Sequence, residues 1–310
     1  MASHHTDPIP GRIRERGVFH PGTWIAAVIV AVLVTMFIHG LITNTNYQWD
    51  VVNDYIRDVN VVKGVGWTLL LTVLSMAIGV VLAVTAAIMR QSENPVLRSV
   101  AWAYIFVFRG IPVYTQLVFW GLLAVLYPKL SMGVPFGPEF FTFDTSDIIT
   151  AFWAATLGLG FNEGAYLAEI VRSGLESVDE GQHEAARALG MKHSTVLRRI
   201  IIPQAMRVII PPLGNETIGM LKTTSLVLAV PFTLDLQYAT NAIANRLYAP
   251  IPLLIVAALW YLVVTSVLMV GQYFLERYFG RGFDKNRSSK RIQKVASDPS
   301  KLSKIPEVEQ

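Results

Sequence analysis

Five ionisable side chains interrupt the long apolar stretches of this sequence. They are Arg109, Glu163, Glu169, Glu216 and Lys222. A charged side chain at the centre of a membrane helix costs roughly 2.5 to 3.5 kcal/mol, whereas a leucine there gains only about 0.3 to 0.6 kcal/mol. If these stretches cross a bilayer, the five residues therefore predict a polar cavity within it, or pairing with one another.

One of these stretches carries both signs of charge at a spacing that keeps them apart. Glu216 and Lys222 are six positions apart, which is about 120° around a helix, so they cannot pair within one straight helix. A zwitterion offers an ammonium for the acid and a carboxylate for the base, and Thr223 shares the helical face of Glu216. The alternative is that each charge bonds to another helix.

Arg109 follows an apolar run and stands just before Gly110 and Pro112, which should loosen a helix there. Two roles are equally open to it: holding a substrate carboxylate bidentately, or binding the carbonyls of the kink. Gln116 lies seven positions further on, on the same face of a continuous helix, and is predicted to serve the same cavity. Glu163 is a further acidic candidate for substrate binding.

Glu169 and Arg172 are three positions apart near one end of their stretch. Residues at this spacing share a helical face, so a structural ion pair is the favoured interpretation.

Enzymatic chemistry finds no support in the residues. The chain has no cysteine, which excludes disulfides, thiolate metal sites and a cysteine nucleophile. His183 and Glu184 begin like a zinc-protease helix, but Arg187 stands where the second histidine would be needed. Residues 190–194 lack the glycine-rich cradle of a nucleotide-binding loop. We predict no catalytic residue, no metal and no cofactor in this chain.

Composition indicates a membrane protein. Of the 310 residues, 53% are hydrophobic and only 15% charged, against about a quarter charged in soluble domains. Six stretches are long enough to cross the hydrocarbon core, which takes about 20 residues. They cover residues 23–43, 64–89, about 101–126, about 148–171, about 204–230 and 252–273. The predicted fold class is therefore an all-α integral membrane protein with six transmembrane helices.

Cations cluster at both ends of the chain, in tails covering residues 1–22 and 281–310. Segment 44–63 has few cations, which is typical of the outer side of a membrane, so both termini are predicted to be cytoplasmic. The loops at residues 128–147 and 235–250 then face outward. The basic residues flank apolar spans and do not indicate nucleic acid; the final tail could also hold lipid head groups, although a simple flank is favoured.

The polar segment 177–203 lies between the fourth and fifth predicted spans. Ser177 and Glu180 have the spacing of a capping box, and Gly190 is expected to end the helix that follows. A second helix is predicted from Ser194, interrupted at Pro203. A short helix held at a membrane surface suits docking to a soluble partner; an ordinary amphipathic loop helix is the alternative.

Several motifs stand in a fixed order along the chain. They are Phe108-Arg109-Gly110-Ile111-Pro112 with Gln116, then Tyr166 to Arg172, Glu184-Ala185-Ala186 with Gly190 and Pro203, Pro211 to Asn215, and Leu221 to Leu226. Together they resemble the permease subunits of ABC importers, in the polar amino acid uptake family, with the third set similar to the EAA loop. The resemblance covers roughly residues 65 to 280.

The resemblance implies a type I permease core of five helices in residues 64–280, with residues 23–43 as an extra transmembrane helix. It implies a bacterial cytoplasmic membrane, a second permease subunit, identical or related, and a solute-binding protein that delivers an amino acid from outside. It also implies a dimer of ABC ATPase subunits, which would carry the ATP and Mg. The ATPase-coupling residues would be Glu184, Ala185, Ala186, Arg187, Leu189 and Gly190.

The sequence departs from the family pattern at four positions. Asp179 replaces a usual proline, Ile202 a usual leucine, Thr223 an often acidic or polar residue, and Phe106 a frequent carboxylate. The last two changes remove negative charge from the expected cavity. They favour an acidic or neutral substrate, such as glutamate or glutamine, transported by alternating access. The alternative function is an ion-coupled secondary amino acid transporter.

Overall fold

The computed structural model describes residues 21–134 and 137–279. The basic tail predicted at 281–310 and most of the tail at 1–22 lie outside the described residues. The longer helices are α1 (Pro21–Thr43), α3 (Val59–Arg90), α4 (Pro95–Gly110), α5 (Val113–Gly121), α8 (Ala151–Glu176), α9 (Glu180–Ala188), α11 (Ile202–Thr223), α12 (Leu236–Leu247) and α13 (Pro250–Phe279). Short helices are α2 (Trp49–Tyr55), α6 (Leu123–Leu126), α7 (Thr145–Ile148) and α10 (His193–Val196).

The chain divides into two compact units, Met1–Gln48 and Trp49–Gln310. The described part of the first unit is α1 followed by a single 3₁₀ turn, Thr45–Tyr47. Helix α1 contains no Asp, Glu, Lys or Arg. The span predicted at residues 23–43 is therefore helical over its whole length.

Three helices in the described ranges are long and apolar enough to cross a membrane: α1, α3 and α13. Helices α4 and α5 together would make a fourth, although they are bent by 102° at their junction. Helices α8 and α11, which cover the fourth and fifth predicted spans, are less apolar because they carry the internal charges of the sequence. The structure is thus that of a mostly helical membrane protein.

One prediction about the spans is wrong. The third span is not one helix over residues 101–126, because α4 ends at Gly110 and the chain turns sharply before α5 begins. In the fifth predicted span, α11 runs without a break through Pro211 and Pro212 to Thr223. A 3₁₀ helix, Thr224–Ala229, then continues it.

The loop at residues 128–147 contains a β-hairpin, so the all-α prediction is wrong there. Strands β1 (Lys129–Gly133) and β2 (Glu139–Asp144) pair antiparallel, with Leu130 opposite Phe143 and an irregularity between Met132 and Gly133. Pro128 precedes β1, and Gly137 and Pro138 lie between the two strands. The other predicted outer segment, residues 235–250, is largely helical and forms α12.

Helices α3 and α8 form the centre of the larger unit, and small residues let them approach closely. A Cβ atom on Gly160 would lie 2.9 Å from Ile78 Cγ2. The Ser75 hydroxyl donates to the Thr156 carbonyl at 3.2 Å. Close approach of this kind is how helices associate in membranes, where no hydrophobic driving force exists between them.

Helix α12 is fixed to the beginning of α3. Its first amide, Leu236 N, donates to Thr68 Oγ1 at 3.1 Å. A Cβ atom on Gly64 would lie 2.9 Å from the Leu236 Cα. Asp235 caps the helix by accepting from the amides of Gln237 and Tyr238. These contacts make α12 part of the packed core rather than a loose loop.

Candidate functional site

The turn between α4 and α5 is built by one proline and two side-chain amides. In a continuous helix the Phe108 carbonyl would accept from residue 112, but Pro112 has no N–H to donate. Instead, Gln116 Nε2 donates to the carbonyls of Phe108 at 2.9 Å and Ile111 at 2.8 Å. Asn162 Nδ2 of α8 donates to the same Phe108 carbonyl at 2.9 Å. The turn is therefore a hydrogen-bonded structure rather than a loose kink.

A cavity of about 430 Å³ opens beside this turn, and we call it the carboxylate cavity. Its lining comes from the α4–α5 turn, from α8 and from α11. The polar and charged lining residues are Arg109, Asn162, Glu163, Tyr166, Glu216 and Thr223. Four of the six residues predicted to bind substrate are thus brought together, namely Arg109, Glu163, Glu216 and Thr223.

Glu163 is buried within the wall of this cavity, with 6% of its surface exposed. Within residues 21–134 and 137–279 its Oε1 atom has no hydrogen-bond partner. Glu216 lines the same cavity from α11 and is only partly buried. Two carboxyl groups therefore stand in the lining of one cavity, and one oxygen of Glu163 has an acceptor position that the described residues leave unused.

Arg109 is the cation of the carboxylate cavity. Its guanidinium lies over the ring of Tyr166, with Cζ 5.2 Å from the ring centroid. This is a cation–π distance. The second role considered for Arg109, binding the carbonyls of the turn, is filled by Gln116 and Asn162. Its charge therefore remains available to the cavity.

Lys222 and Gln116 do not line the carboxylate cavity. Lys222 is exposed on α11. Gln116 is buried, and its amide is bound to the α4–α5 turn. The seven-residue spacing that placed it on one face with Arg109 does not apply, because the two residues belong to different helices.

Sequence reasoning missed Asn162 and Tyr166 as site residues. They are four positions apart on α8, so they share one helical face, with Glu163 adjacent to Asn162. That spacing was the available signal. The predicted ion pair nearby is confirmed: Arg172 Nη2 lies 2.7 Å from Glu169 Oε2, and Arg172 Nη1 lies 2.7 Å from Glu176 Oε2.

The polar segment after α8 forms the helix that the sequence predicts, but its cap differs. Helix α9 begins at Glu180, and Asp179 accepts from the Gly181 amide at 2.8 Å. Ser177 instead donates its hydroxyl to the Gly174 carbonyl at 2.7 Å. The capping-box prediction is therefore wrong, since the residue directly before the helix provides the cap.

The end of α9 agrees with the prediction. Gly190 has a φ of +67°, a left-handed conformation that glycine adopts without strain. The Met191 amide donates to the Ala186 carbonyl at 3.1 Å, and the Gly190 amide to the Arg187 carbonyl at 2.9 Å. These two bonds satisfy carbonyls at the helix end, as in a Schellman motif.

One residue of α9 holds the helix to the rest of the unit. Ala186 is 2% exposed and packs with Val178, Val196 and Ile201. The other predicted coupling residues are exposed: Glu184, Ala185, Arg187, Leu189 and Gly190. Leu189 is 80% exposed, which is unusual for a leucine. The exposed surface of α9 therefore carries both signs of charge, and the apolar side chain of Leu189 lies exposed just after its end.

The second predicted helix begins at His193, one residue earlier than expected, and Pro203 does not break it. Helix α10 passes into a π-helical turn, Leu197–Ile201, and then into α11. The Ile202 amide donates to the Leu197 carbonyl, five residues back. Pro203 stands in the first turn of α11, a position at which helices tolerate the missing N–H of proline.

Comparison with known proteins identifies this arrangement. Residues 75–281 match the family described as binding-protein-dependent transport system inner membrane component. The chain belongs to this family. It is the permease component of an ABC transporter, in the group that transports polar amino acids. As such it is a multi-pass protein of the inner membrane and has no catalytic function of its own.

Two curated relatives illustrate the similarity. The arginine transport system permease protein ArgU of Corynebacterium glutamicum is 46% identical over 303 residues, covering 96% of this chain and 94% of ArgU. The probable glutamine ABC transporter permease protein GlnM of Bacillus subtilis is 32% identical over 218 residues, covering 70% of this chain and 91% of GlnM. This permease thus aligns with ArgU almost end to end.

Two solved structures share the fold. An amino acid ABC transporter crystallised with histidines is 36% identical, with a TM-score of 0.59, over 71% of this permease and 94% of that chain. The MetNI methionine ABC transporter, in an inward-facing form, is 17% identical, with a TM-score of 0.54, over 71% of this permease and 96% of that chain. The second likeness concerns the fold alone.

The comparisons bear on two earlier predictions. Membership of a binding-protein-dependent ABC family favours the importer over the ion-coupled alternative. The preference for glutamate or glutamine gains no specific support, because the relative aligned over 96% of the chain is an arginine permease. Although Phe106 and Thr223 carry no negative charge, Glu163 and Glu216 supply two carboxyl groups to one cavity.

Proposed function

We propose that this permease imports a cationic amino acid, with L-arginine the first candidate, by ATP-driven alternating access. The observation that carries the proposal is the carboxylate cavity, which combines Arg109 with Glu163 and Glu216. Arg109 would hold the substrate carboxylate, and the two acids would face its ammonium and its cationic side chain. The alignment with ArgU supports the same substrate class.

The remaining polar lining would set specificity. Thr223 and Asn162 offer neutral hydrogen-bonding groups at the edge of the cavity. Gln116 and Lys222 are left out of the proposed contacts because they do not line it. A site with two acids and one base rejects a substrate that lacks the second positive charge, since one buried carboxylate would stay unpaired.

The proposed assembly follows the family resemblance. Two permease subunits, identical or related, would form the pathway in the bacterial cytoplasmic membrane, with a core domain at residues 64–280 and an added helix at 23–43. Six crossings would place both termini in the cytoplasm. A solute-binding protein would deliver the amino acid at the outer segments, residues 128–147 and 235–250. Membrane lipid would surround the apolar faces, and no nucleic acid is involved.

Energy would enter through α9. The ATP and Mg belong to a pair of ATPase subunits, and the exposed surface of α9 would dock into them. Because Ala186 packs against Val196 and Ile201 near the start of α11, a push on α9 would reach the helix that carries Glu216. The segment 177–203 is thus proposed as the coupling loop.

Two variants test these proposals separately in the reconstituted complex. Glu184→Lys reverses a charge on the exposed docking surface and should lower uptake to below roughly a tenth, while L-arginine binding to the permease is retained. Glu216→Gln removes one cavity carboxylate and should weaken L-arginine binding by about tenfold or more, with L-glutamine binding less affected. Normal uptake by Glu184→Lys would remove α9 from coupling. Unchanged binding by Glu216→Gln would remove the cavity from substrate recognition.

A further inference from the structure

A second cavity of about 430 Å³ adjoins the carboxylate cavity, and we call it the arginine cavity. The two share Arg109, Gly110 and Tyr166 in their walls. The residues that only the second cavity has are Arg90, Trp102, Ile105, Phe106 and Glu169. Neither the family description nor the proposed function assigns it a role.

The arginine cavity also carries both signs of charge. Arg90 is the last residue of α3, and Glu169 lies on α8, six positions after Glu163. Six residues of helix correspond to about 9 Å along the axis. Glu169 is oriented by Arg172, whose Nη2 binds its Oε2 at 2.7 Å. The arginine cavity therefore has an acid and a base in its lining, as the carboxylate cavity has.

One wall of the arginine cavity is flat and aromatic. The rings of Trp102 and Phe106 stack with their centroids 5.1 Å apart and their planes at 9°. Both side chains are exposed. Aromatic faces attract guanidinium and ammonium groups and pack against their aliphatic stems. The wall therefore suits the long cationic side chain of a basic amino acid.

We infer that the arginine cavity is a second substrate subsite, which holds the same basic amino acid after it leaves the carboxylate cavity. The inference rests on the proposed function. In the transfer, the substrate ammonium passes from one acid of the carboxylate cavity to Glu169, and its cationic side chain passes from the other acid to the aromatic wall. Its carboxylate passes from Arg109 to Arg90. Arg109 borders both cavities, so the substrate carboxylate keeps a cationic partner throughout.

The position of Arg90 indicates that this subsite is on the exit side. Helix α3 ends there, and the charge pattern of the sequence places the Arg90 end in the cytoplasm. Glu169 precedes Arg172, Glu176 and then α9, so the same side carries the coupling loop. Closure and opening of the ATPase subunits would therefore act next to the subsite that releases the substrate.

The test is equilibrium binding of radiolabelled L-arginine to the purified complete transporter in nanodiscs, counted per permease chain. The wild type should bind about two molecules per chain. Arg90→Gln should bind about one molecule, in the carboxylate cavity, and Glu216→Gln should bind about one, in the arginine cavity. Arg90→Lys should bind in both cavities, with an affinity for the arginine cavity at least about tenfold lower than that of the wild type. Arg90→Lys is the matched control, because it keeps the cation at the end of α3.

A wild type that binds one molecule, lost in Glu216→Gln and unaffected in Arg90→Gln, would overturn the second subsite and leave the proposed function standing. Absence of any L-arginine binding would overturn both. If Arg90→Gln does not assemble, Trp102→Ala replaces it, and loss of the aromatic wall should weaken the second site by about tenfold. Unchanged affinities in Trp102→Ala would then contradict the inference.

Discussion

Two proline-containing stretches of this permease behave in opposite ways. At Pro112 the chain turns through 102° between α4 and α5, whereas α11 continues as a helix through Pro211 and Pro212. Each proline removes one backbone donor. One stretch turns and the other stays helical because different side chains contact the backbone carbonyls near the prolines, and not because of the prolines themselves.

At the α4–α5 turn, side chains replace the missing donor. Ile111 is extended, with φ of −101° and ψ of 133°, as residues before proline prefer. Gln116 and Asn162 bind the carbonyls that the turn exposes. In lipid, non-helical backbone persists only where protein or a water-filled cavity satisfies it. The turn then presents Arg109 to the carboxylate cavity.

Helix α11 is contacted by two neighbouring helices where it passes through its prolines. Gln272 Nε2 of α13 donates to the Pro211 carbonyl at 2.8 Å. On the α8 side, a Cβ atom on Gly174 would overlap with Ile209 Cγ1, so the two helices are in close contact. Packing on two sides holds the helical conformation that proline alone disfavours.

The largest effect is expected for Gln116→Leu. The substitution leaves the Ile111 carbonyl without its amide donor and leaves the Phe108 carbonyl with Asn162 alone, at a cost of about 1 to 3 kcal/mol. L-Arginine uptake by the reconstituted complex should fall by at least about tenfold, and the thermal midpoint of the permease should drop, measured by intrinsic fluorescence in detergent.

The matched control for this prediction is Gln116→Glu. It keeps the shape and the acceptor oxygen of the side chain but removes both donors. If Gln116 acts by holding the turn, Glu should be as damaging as Leu. If Gln116 instead serves the substrate cavity, as the sequence predicts, and does so as an acceptor, Gln116→Glu should retain most of the uptake. That result would show that Gln116 does not act by holding the α4–α5 turn.

A smaller effect is expected for Asn162→Leu. Only one bond is lost, and Gln116 still satisfies the Phe108 carbonyl, so the cost should be about 1 kcal/mol. The double variant with Gln116→Leu should lower the thermal midpoint by more than the sum of the two single changes, because the Phe108 carbonyl then has no side-chain donor. Thermal midpoints of the four proteins in the cycle measure this coupling. Strict additivity would show that the two amides act independently.

The sequence predicted features set by local patterns. The apolar helices α1, α3 and α13, the end of α9 at Gly190 and the Glu169–Arg172 pair all depend on residues close together in the chain, and the structure agrees with them. The ordered motifs also indicated the family. The cavity residues Arg109, Glu163 and Glu216 were found because charge in an apolar stretch is conspicuous.

What the sequence did not predict depends on partners far along the chain. The role of Gln116 required the position of Phe108 across a turn, and the continuity of α11 required Gln272, about sixty residues away. The capping error was different in kind. Both Ser177 and Asp179 are good N-cap residues, and only the position of the helix start decides between them.

A modest effect is expected for Gln272→Leu. It removes the bond from Gln272 Nε2 to the Pro211 carbonyl, worth about 0.6 kcal/mol on average for such bonds in membrane proteins. It also removes a bond to Oε1 of the exposed Glu276, which water can replace. Uptake should therefore fall by no more than about threefold. A loss as large as that of Gln116→Leu would show that α11 depends on this single bond.

The smallest effect on transport, and one of opposite sign on stability, is expected for Pro211→Ala. The helix already accommodates the ring, so alanine restores an N–H without changing the backbone path and recovers part of the roughly 3 kcal/mol that an interior proline costs. The thermal midpoint should rise, with uptake within about twofold of the wild type.

Pro112→Ala is the matched variant. It returns an N–H donor to the Phe108 carbonyl, and this donor competes with Gln116 and Asn162 and favours a continuous helix over the turn. Uptake should therefore fall for Pro112→Ala and persist for Pro211→Ala. Equal losses in both would show that α11 uses its prolines to move during transport, and that the two stretches are alike in function although they differ in shape.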